Sequence, residues 1–131
     1  MSLSTVLTKD TVAIGLRASD KGGVIEELLD LLVRAGSITD KEAARRAVVE
    51  RERKMSTGMK YGIAIPHGKT PTVGSLVACV AVSDVGIPFD SLDGEPSRIF
   101  IMTLSPPEKT GPHLQFLAEV SQLFKSEARR Q

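Results

Sequence analysis

Leu76-Val77-Ala78-Cys79-Val80-Ala81-Val82 is apolar at every position, without alternation of apolar and polar side chains. A strand with one wetted face repeats with a period of two, so a strand made from this run is covered on both faces and belongs in the middle of a sheet. Ile99-Phe100-Ile101-Met102-Thr103-Leu104 has the same character and reads as a second central strand. Asp93-Gly94 supplies a tight turn into it, which gives the sheet mixed strand directions. Ile87-Pro88-Phe89 is expected as a short edge strand, because proline is tolerated there.

Working towards the N-terminus, Val12, Ile14 and Leu16 alternate with Thr11, Ala13 and Gly15. This pattern predicts a strand with the larger set buried. From Lys21 to Ala35 the spacing changes to Val24, Leu28, Leu31, Leu32 and Ala35, one stripe along a helix, and Gly36 is placed to end it in the left-handed conformation. Thr39 and Glu42 form a capping box for a second helix running to about Arg53. Its inward stripe is Ala44, Ala47 and Val48, and the next position in the series is Arg51. Such an arginine either snorkels to solvent past the helix end or is aimed at an anion. Downstream, Pro112 suits the first turn of a third helix with Leu114, Leu117, Ala118 and Val120 to Phe124 on its apolar side and His113 in its first turn. Central strands flanked by helices predict an α/β fold: a mixed central sheet with helices packed on both faces, in a single domain over residues 1–131.

Bulk properties limit the function classes. The 131 residues carry 41% hydrophobic and 25% charged side chains, as soluble globular proteins do. A formal charge of +1 offers no positive field for nucleic acid or anionic lipid, so partners must be recognised by shape. Cys79 is the only cysteine and is expected to be a buried, reduced thiol. No long apolar span or signal pattern is present, which predicts a cytoplasmic protein without direct membrane insertion.

The chemistry concentrates in Ser56-Thr57-Gly58-Met59-Lys60-Tyr61-Gly62-Ile63-Ala64-Ile65-Pro66-His67-Gly68-Lys69-Thr70. Pro66 fixes its own φ and keeps Ile65 extended, so His67 stands on a stiff stem. Gly68 is expected to let the backbone turn sharply and leave the imidazole uncrowded. A lone histidine beside a turn is more often a hydrogen-bonded structural residue than a nucleophile. Ser56 and Thr57 are as consistent with turn chemistry as with anion binding.

Five signals in order carry a resemblance over residues 10 to 125: Arg51-Glu52, Ser56-Thr57-Gly58, Gly62-Ile63-Ala64-Ile65-Pro66-His67-Gly68, Leu92-Asp93-Gly94-Glu95-Pro96 and His113-Leu114-Gln115. Together they resemble the enzyme IIA domain of the fructose/mannitol type in the bacterial phosphoenolpyruvate-dependent sugar phosphotransferase system, including its nitrogen-regulatory branch. The resemblance implies that His67 accepts a phosphoryl group from the phosphohistidine of an HPr-like carrier and passes it to an enzyme IIB domain. It favours the anion-facing Arg51, gives His113 an assisting role, and points to Ser56, Thr57 and Gly68 as phosphoryl-binding. It implies neither a cofactor nor a metal. Met55 and Lys60 stand where the family often has glycine. Related chains usually continue into a further helix, so a sheet face here is expected to be exposed or covered by a second copy in a homodimer.

Two functions follow: a phosphocarrier of sugar transport, or a regulatory module whose phosphorylation at His67 switches binding to a partner protein. A metal-dependent hydrolase finds no support, since no His-x-x-x-His or Cys-x-x-Cys spacing is present. Met59, Tyr61 and Ile87 are the residues expected to form an apolar docking patch near the site.

Overall fold

The computed structural model describes residues 9–59 and 62–107. A short 3₁₀ turn, Lys9–Thr11, leads into β1 (Val12–Ile14), followed by helices α1 (Lys21–Arg34) and α2 (Lys41–Lys54). Then come β2 (Ile63–Ala64), β3 (His67–Lys69), β4 (Val77–Ile87) and β5 (Ser97–Ser105). The sheet runs in the order β1-β4-β5-β2, and β3 also pairs with β5. β4 and β5 are antiparallel, while β1 runs parallel to β4, and β2 and β3 run parallel to β5. The sheet is therefore mixed, and the two runs without alternation are its central pair.

Both helices are specified by their ends. Asp20 caps α1, its carboxylate accepting from the Gly23 amide at 2.7 Å. At the other end Gly36 has φ +76°, its amide bonds Val33 O, and Ser37 N reaches Leu32 O, which satisfies two carbonyls of the last turn. The cap of α2 is Asp40, accepting from Ala43 N at 3.0 Å, and not the Thr39 of the expected box. An aspartate one position later takes the same amide role and adds negative charge at the positive end of the helix. The helices are clamped by Arg45, which donates to both oxygens of Glu26 at 2.7 and 2.9 Å.

α1 and α2 build a core on one face of the sheet. Val24, Leu28, Leu32, Ala44 and Val48 meet Cys79, Ala81, Phe100 and Met102, all fully buried. The Phe89 and Phe100 rings lie 5.5 Å apart. Burial pushes the Cys79 thiol up to about 12, so the cysteine is an inert part of this core, as expected. The other face carries a second cluster of Ile63, Ile65, Leu76, Ala78 and Ile101. The helix expected from Pro112, with His113, lies outside the described residues, as do Lys60 and Tyr61.

Three further expectations need correction. β1 forms where alternation placed it, but Val12 and Ile14 are 44% and 83% exposed while Ala13 packs on the α1 core. An edge strand can turn its larger side chains outward when a small one suits the close approach of the core. Ile87-Pro88-Phe89 is not a separate strand: Ile87 is the last residue of β4, paired with Ser97 beyond a register shift, and it is fully buried. That burial also removes Ile87 from any docking patch.

Gly68 is the third correction. It makes no turn; it lies within β3 opposite Leu104. A Cβ there would come within 2.8 to 3.0 Å of Ala47 backbone and side-chain atoms, so glycine lets the strand lie directly on α2. Gly68→Ala is expected to destabilise the fold by about 1–3 kcal/mol through overpacking. Gly74→Ala, where a Cβ meets nothing within 4 Å, should change stability by less than about 1 kcal/mol. Urea unfolding of the two variants checks this, and equal midpoints would show that the Gly68 contact imposes no cost.

Candidate functional site

β2 and β3 lie end to end along the outer edge of β5, with Pro66 in the gap between them. Proline has no N–H to give to a ladder, so a break is where it fits, and its carbonyl still accepts from Thr103 N at 3.1 Å. Because side chains alternate along an extended chain, Gly68 turned towards α2 sends His67 to the opposite side, with Ile65. Pro66 and Gly68 thus fix the placing of the imidazole in different ways: one breaks the strand, and the other lets it rest on a helix.

His67 Nδ1 lies 2.8 Å from Ile65 O. A carbonyl oxygen only accepts, so Nδ1 carries the proton and the lone pair resides on Nε2. The ring is half-buried, and burial holds its pKa below the ordinary 6.5. The Ile65 hydrogen bond and the Glu52 carboxylate oppose that shift, while the charges of Arg51 and Lys69 add to it. The net result is a neutral imidazole over a wider pH range than a free histidine has.

A cleft of about 320 Å³ opens beside the ring, lined by Arg51, Met55, Ser56, Thr57, Met59, Ile65, His67 and Leu92. Arg51 and His67 are therefore brought together at one cleft. The Arg51 guanidinium donates to Met55 O at 2.7 Å, binding the end of α2 to the start of the site loop. Met55 itself is extended, with φ −168° and ψ 136°, a conformation that needs no glycine.

Ser56 and Thr57 are built into this loop. Ser56 Oγ donates to Phe89 O at 2.7 Å and accepts from Gly58 N at 3.1 Å. The Thr57 hydroxyl donates to Glu52, and its amide bonds the same carboxylate at 3.1 and 3.2 Å. Gly58 is required by close approach, since a Cβ would sit 2.5 Å from Phe89 O. The loop then folds back on the site strand: Ile65 N donates to Thr57 O at 3.0 Å, and Met59 N to Ile63 O at 2.7 Å. Glu52 and its partner Lys21 were given no role on sequence grounds. The signal was present, because Glu52 continues the buried series Ala44, Val48 four residues further on.

Comparison with known proteins shows the family. A model of the phosphoenolpyruvate-dependent sugar phosphotransferase system EIIA 2 family matches residues 5–131. The chain belongs to this family. It is 38% identical over 125 residues to the fructose-specific EIIA component of Haloferax volcanii, covering 95% of this chain and 81% of that one. A nitrogen regulatory protein of Pseudomonas aeruginosa is 30% identical, with 93% and 79% covered. The fructose-specific EIIABC component of Bacillus subtilis is 34% identical over the whole of this chain, which spans only 21% of that larger protein. Among solved structures, the nitrogen regulatory protein IIA-Ntr of Neisseria meningitidis superposes with a TM-score of 0.87 at 26% identity, over 94% of this chain and 84% of that one. The mannitol IIA of Escherichia coli, at 21% identity and 88% and 79% coverage, shares the fold with a TM-score of 0.74 in a complex with phosphorylated IIB. The chain is thus a phosphotransferase-system IIA domain and a phosphoryl carrier. No helix among the described residues is long and apolar enough to cross a membrane.

Arg51→Gln removes a positive charge beside His67, and less opposing charge favours the protonated ring. The His67 titration midpoint, followed by NMR, should therefore rise relative to the wild type. An unchanged or lower midpoint would show that the guanidinium does not act on the ring.

Proposed function

We propose that His67 is the phosphoryl acceptor, taking the group from an HPr-like phosphohistidine and passing it to an enzyme IIB domain. The observation that carries this reading is the Nδ1 hydrogen bond to Ile65 O, which leaves the lone pair on Nε2 beside a cleft that also holds Arg51. The Nε2 lone pair forms a bond to phosphorus as the donor's N–P bond breaks, its electron pair returning to the donor nitrogen. Nδ1 keeps its proton, and the Ile65 carbonyl stabilises the positive charge that develops on the His67 ring. Since the attacking ring is already neutral, no separate base is needed. In the second transfer the Nε2–P bond breaks, and the ring recovers its lone pair.

Phosphoryl transfer spreads charge over three equatorial oxygens, and Arg51 is the cation placed to bind them in a forked geometry. His113 is assigned an assisting donor role on the family pattern. The Ser56 and Thr57 hydroxyls are committed to Phe89 O and Glu52, so these residues shape the cleft wall and their hydroxyls are not donors to the phosphoryl group. Gly68 acts on the site by letting β3 rest on α2. The chain acts as one domain; among its relatives it spans about four-fifths of the fructose-specific EIIA component and a fifth of the EIIABC component.

A regulatory role is the second reading, favoured by the likeness to IIA-Ntr at a TM-score of 0.87. The same chemistry would then switch the charge of a docking surface, and a partner protein would read that switch. Binding that is equal for both phosphorylation states would argue against it.

Incubation with phosphoenolpyruvate, enzyme I and HPr should label the wild type and leave His67→Ala unlabelled; equal labelling would overturn the assignment. The pH profile gives an independent check. The neutral ring is the nucleophile and its pKa lies below 6.5, so the phosphorylation rate should fall on acidification with a midpoint below pH 6.5. A fall centred above 6.5 would contradict a depressed His67.

A further inference from the structure

The Glu52 carboxylate is deeply buried beside the site, with a side chain only 6% exposed. A carboxylate removed from water is tolerated when it is paired and hydrogen-bonded, and Glu52 is both. Lys21, the first residue of α1, approaches it at 2.8 Å, and Thr57 supplies its amide and hydroxyl. The Lys21 ammonium also contacts Asp90 at 3.2 Å and Ser56 Oγ at 3.4 Å, and lies 4.8 Å from the centre of the Phe89 ring. One cation therefore joins the start of α1, the end of α2, the site loop and the segment after β4.

From this junction an unbroken series of hydrogen bonds leads to the imidazole. Glu52 holds Thr57; the Thr57 carbonyl accepts from Ile65 N at 3.0 Å; the Ile65 carbonyl accepts from His67 Nδ1 at 2.8 Å. The last bond sets which ring nitrogen carries the lone pair. Resting on the reading of His67 as phosphoryl acceptor, we propose that Lys21 and Glu52 are positioning residues for transfer, acting through Thr57 and Ile65 without touching the phosphoryl group. Asp90 supports the same lysine from outside. Its backbone is in the left-handed region at φ +51°, unusual for a residue other than glycine, and this conformation coincides with the contact to Lys21. A displacement of the ring by about 1 Å can cost up to about a hundredfold in rate, so a pair remote from the chemistry can still govern it.

The test uses Lys21→Met, Lys21→Arg, Glu52→Gln and the Lys21→Met/Glu52→Gln double variant. Each is measured for urea stability, for kcat and KM with phospho-HPr, and for the His67 tautomer by ¹⁵N NMR. Lys21→Met strands a buried carboxylate; it should lower kcat about ten- to a hundredfold with little change in KM, and reduce the Nδ1–H tautomer that dominates the wild type. Lys21→Arg should restore most of both. The double variant leaves no unpaired buried charge, so stability should return towards wild type while kcat stays low.

If kcat recovers along with stability in the double variant, the pair only holds the fold and the proposal is wrong. Wild-type kcat and tautomer in folded Lys21→Met would also overturn it. Should Lys21→Met not fold, the arginine and double variants still decide. If wild-type protein takes up no phosphate, the acceptor reading fails. The tautomer shift then remains as a separate measure of positioning.

Discussion

A carboxylate cannot stay charged inside this fold without a partner, and the arrangement of the site follows from how Glu52 meets that requirement. Lys21 pairs with it from another helix, and the loop after α2 wraps so that the Thr57 amide and hydroxyl complete its coordination. Burial works against the ammonium of Lys21, but Glu52 first and Asp90 second more than offset it, and its pKa lies above the ordinary 10.5. The lysine therefore keeps its charge at neutral pH. Breaking either half would leave an uncompensated charge, which is why four chain segments are held at one point.

The site strand is fixed from two further directions. Gly68 allows β3 to lie against Ala47 of α2, and Pro66 ends the ladder just before it. His67 is consequently on the sheet edge with one ring nitrogen tied to the backbone and the other carrying the lone pair. Arg51 closes α2 by donating to Met55 O and contributes its charge to the same cleft. A phosphocarrier needs a ring that stays neutral until it reacts and a cation that is present before the phosphoryl group arrives. Burial and Arg51 both act in that sense on His67.

The central strands were legible because burial on both faces leaves a plain mark: an apolar run with no alternation, as in Leu76 to Val82. Helix ends were legible to within a residue, since Asp40 and Thr39 are equally good caps and only the path of the chain chooses between them. The facing of β1 was not legible. Alternation reveals two sets of side chains, but which set meets a helix depends on how closely the helix approaches, and here Ala13 fits where Ile14 does not. Gly68 was misread for a related reason: the residue says that a Cβ is excluded, while only the fold says that Ala47 excludes it. Ile87 likewise looked like part of a separate edge strand because Pro88 follows, although β4 carries it into the core. The loop motif and Arg51 could be placed at one site from the sequence. The role of Glu52 required knowing that α1 starts beside the end of α2.

Transport and regulation make the same demand on the chemistry and different demands on the surface. On the proposed reading His67 presents Nε2 in either case, and the groups beside it, Arg51 and the Ile65 carbonyl, belong to the fold itself. What surrounds the cleft is another matter. Met55 and Leu92 are each 68% exposed and share its wall with the ring, so the outer part of the site is apolar and accessible. Contacts of that kind suit brief encounters, because a small apolar rim gives shape matching without a desolvated charge that would slow release. The buried ion pair and the exposed rim thus divide the work. The first is held by the core and the second lies on the surface, so a change at the rim need not disturb the pair.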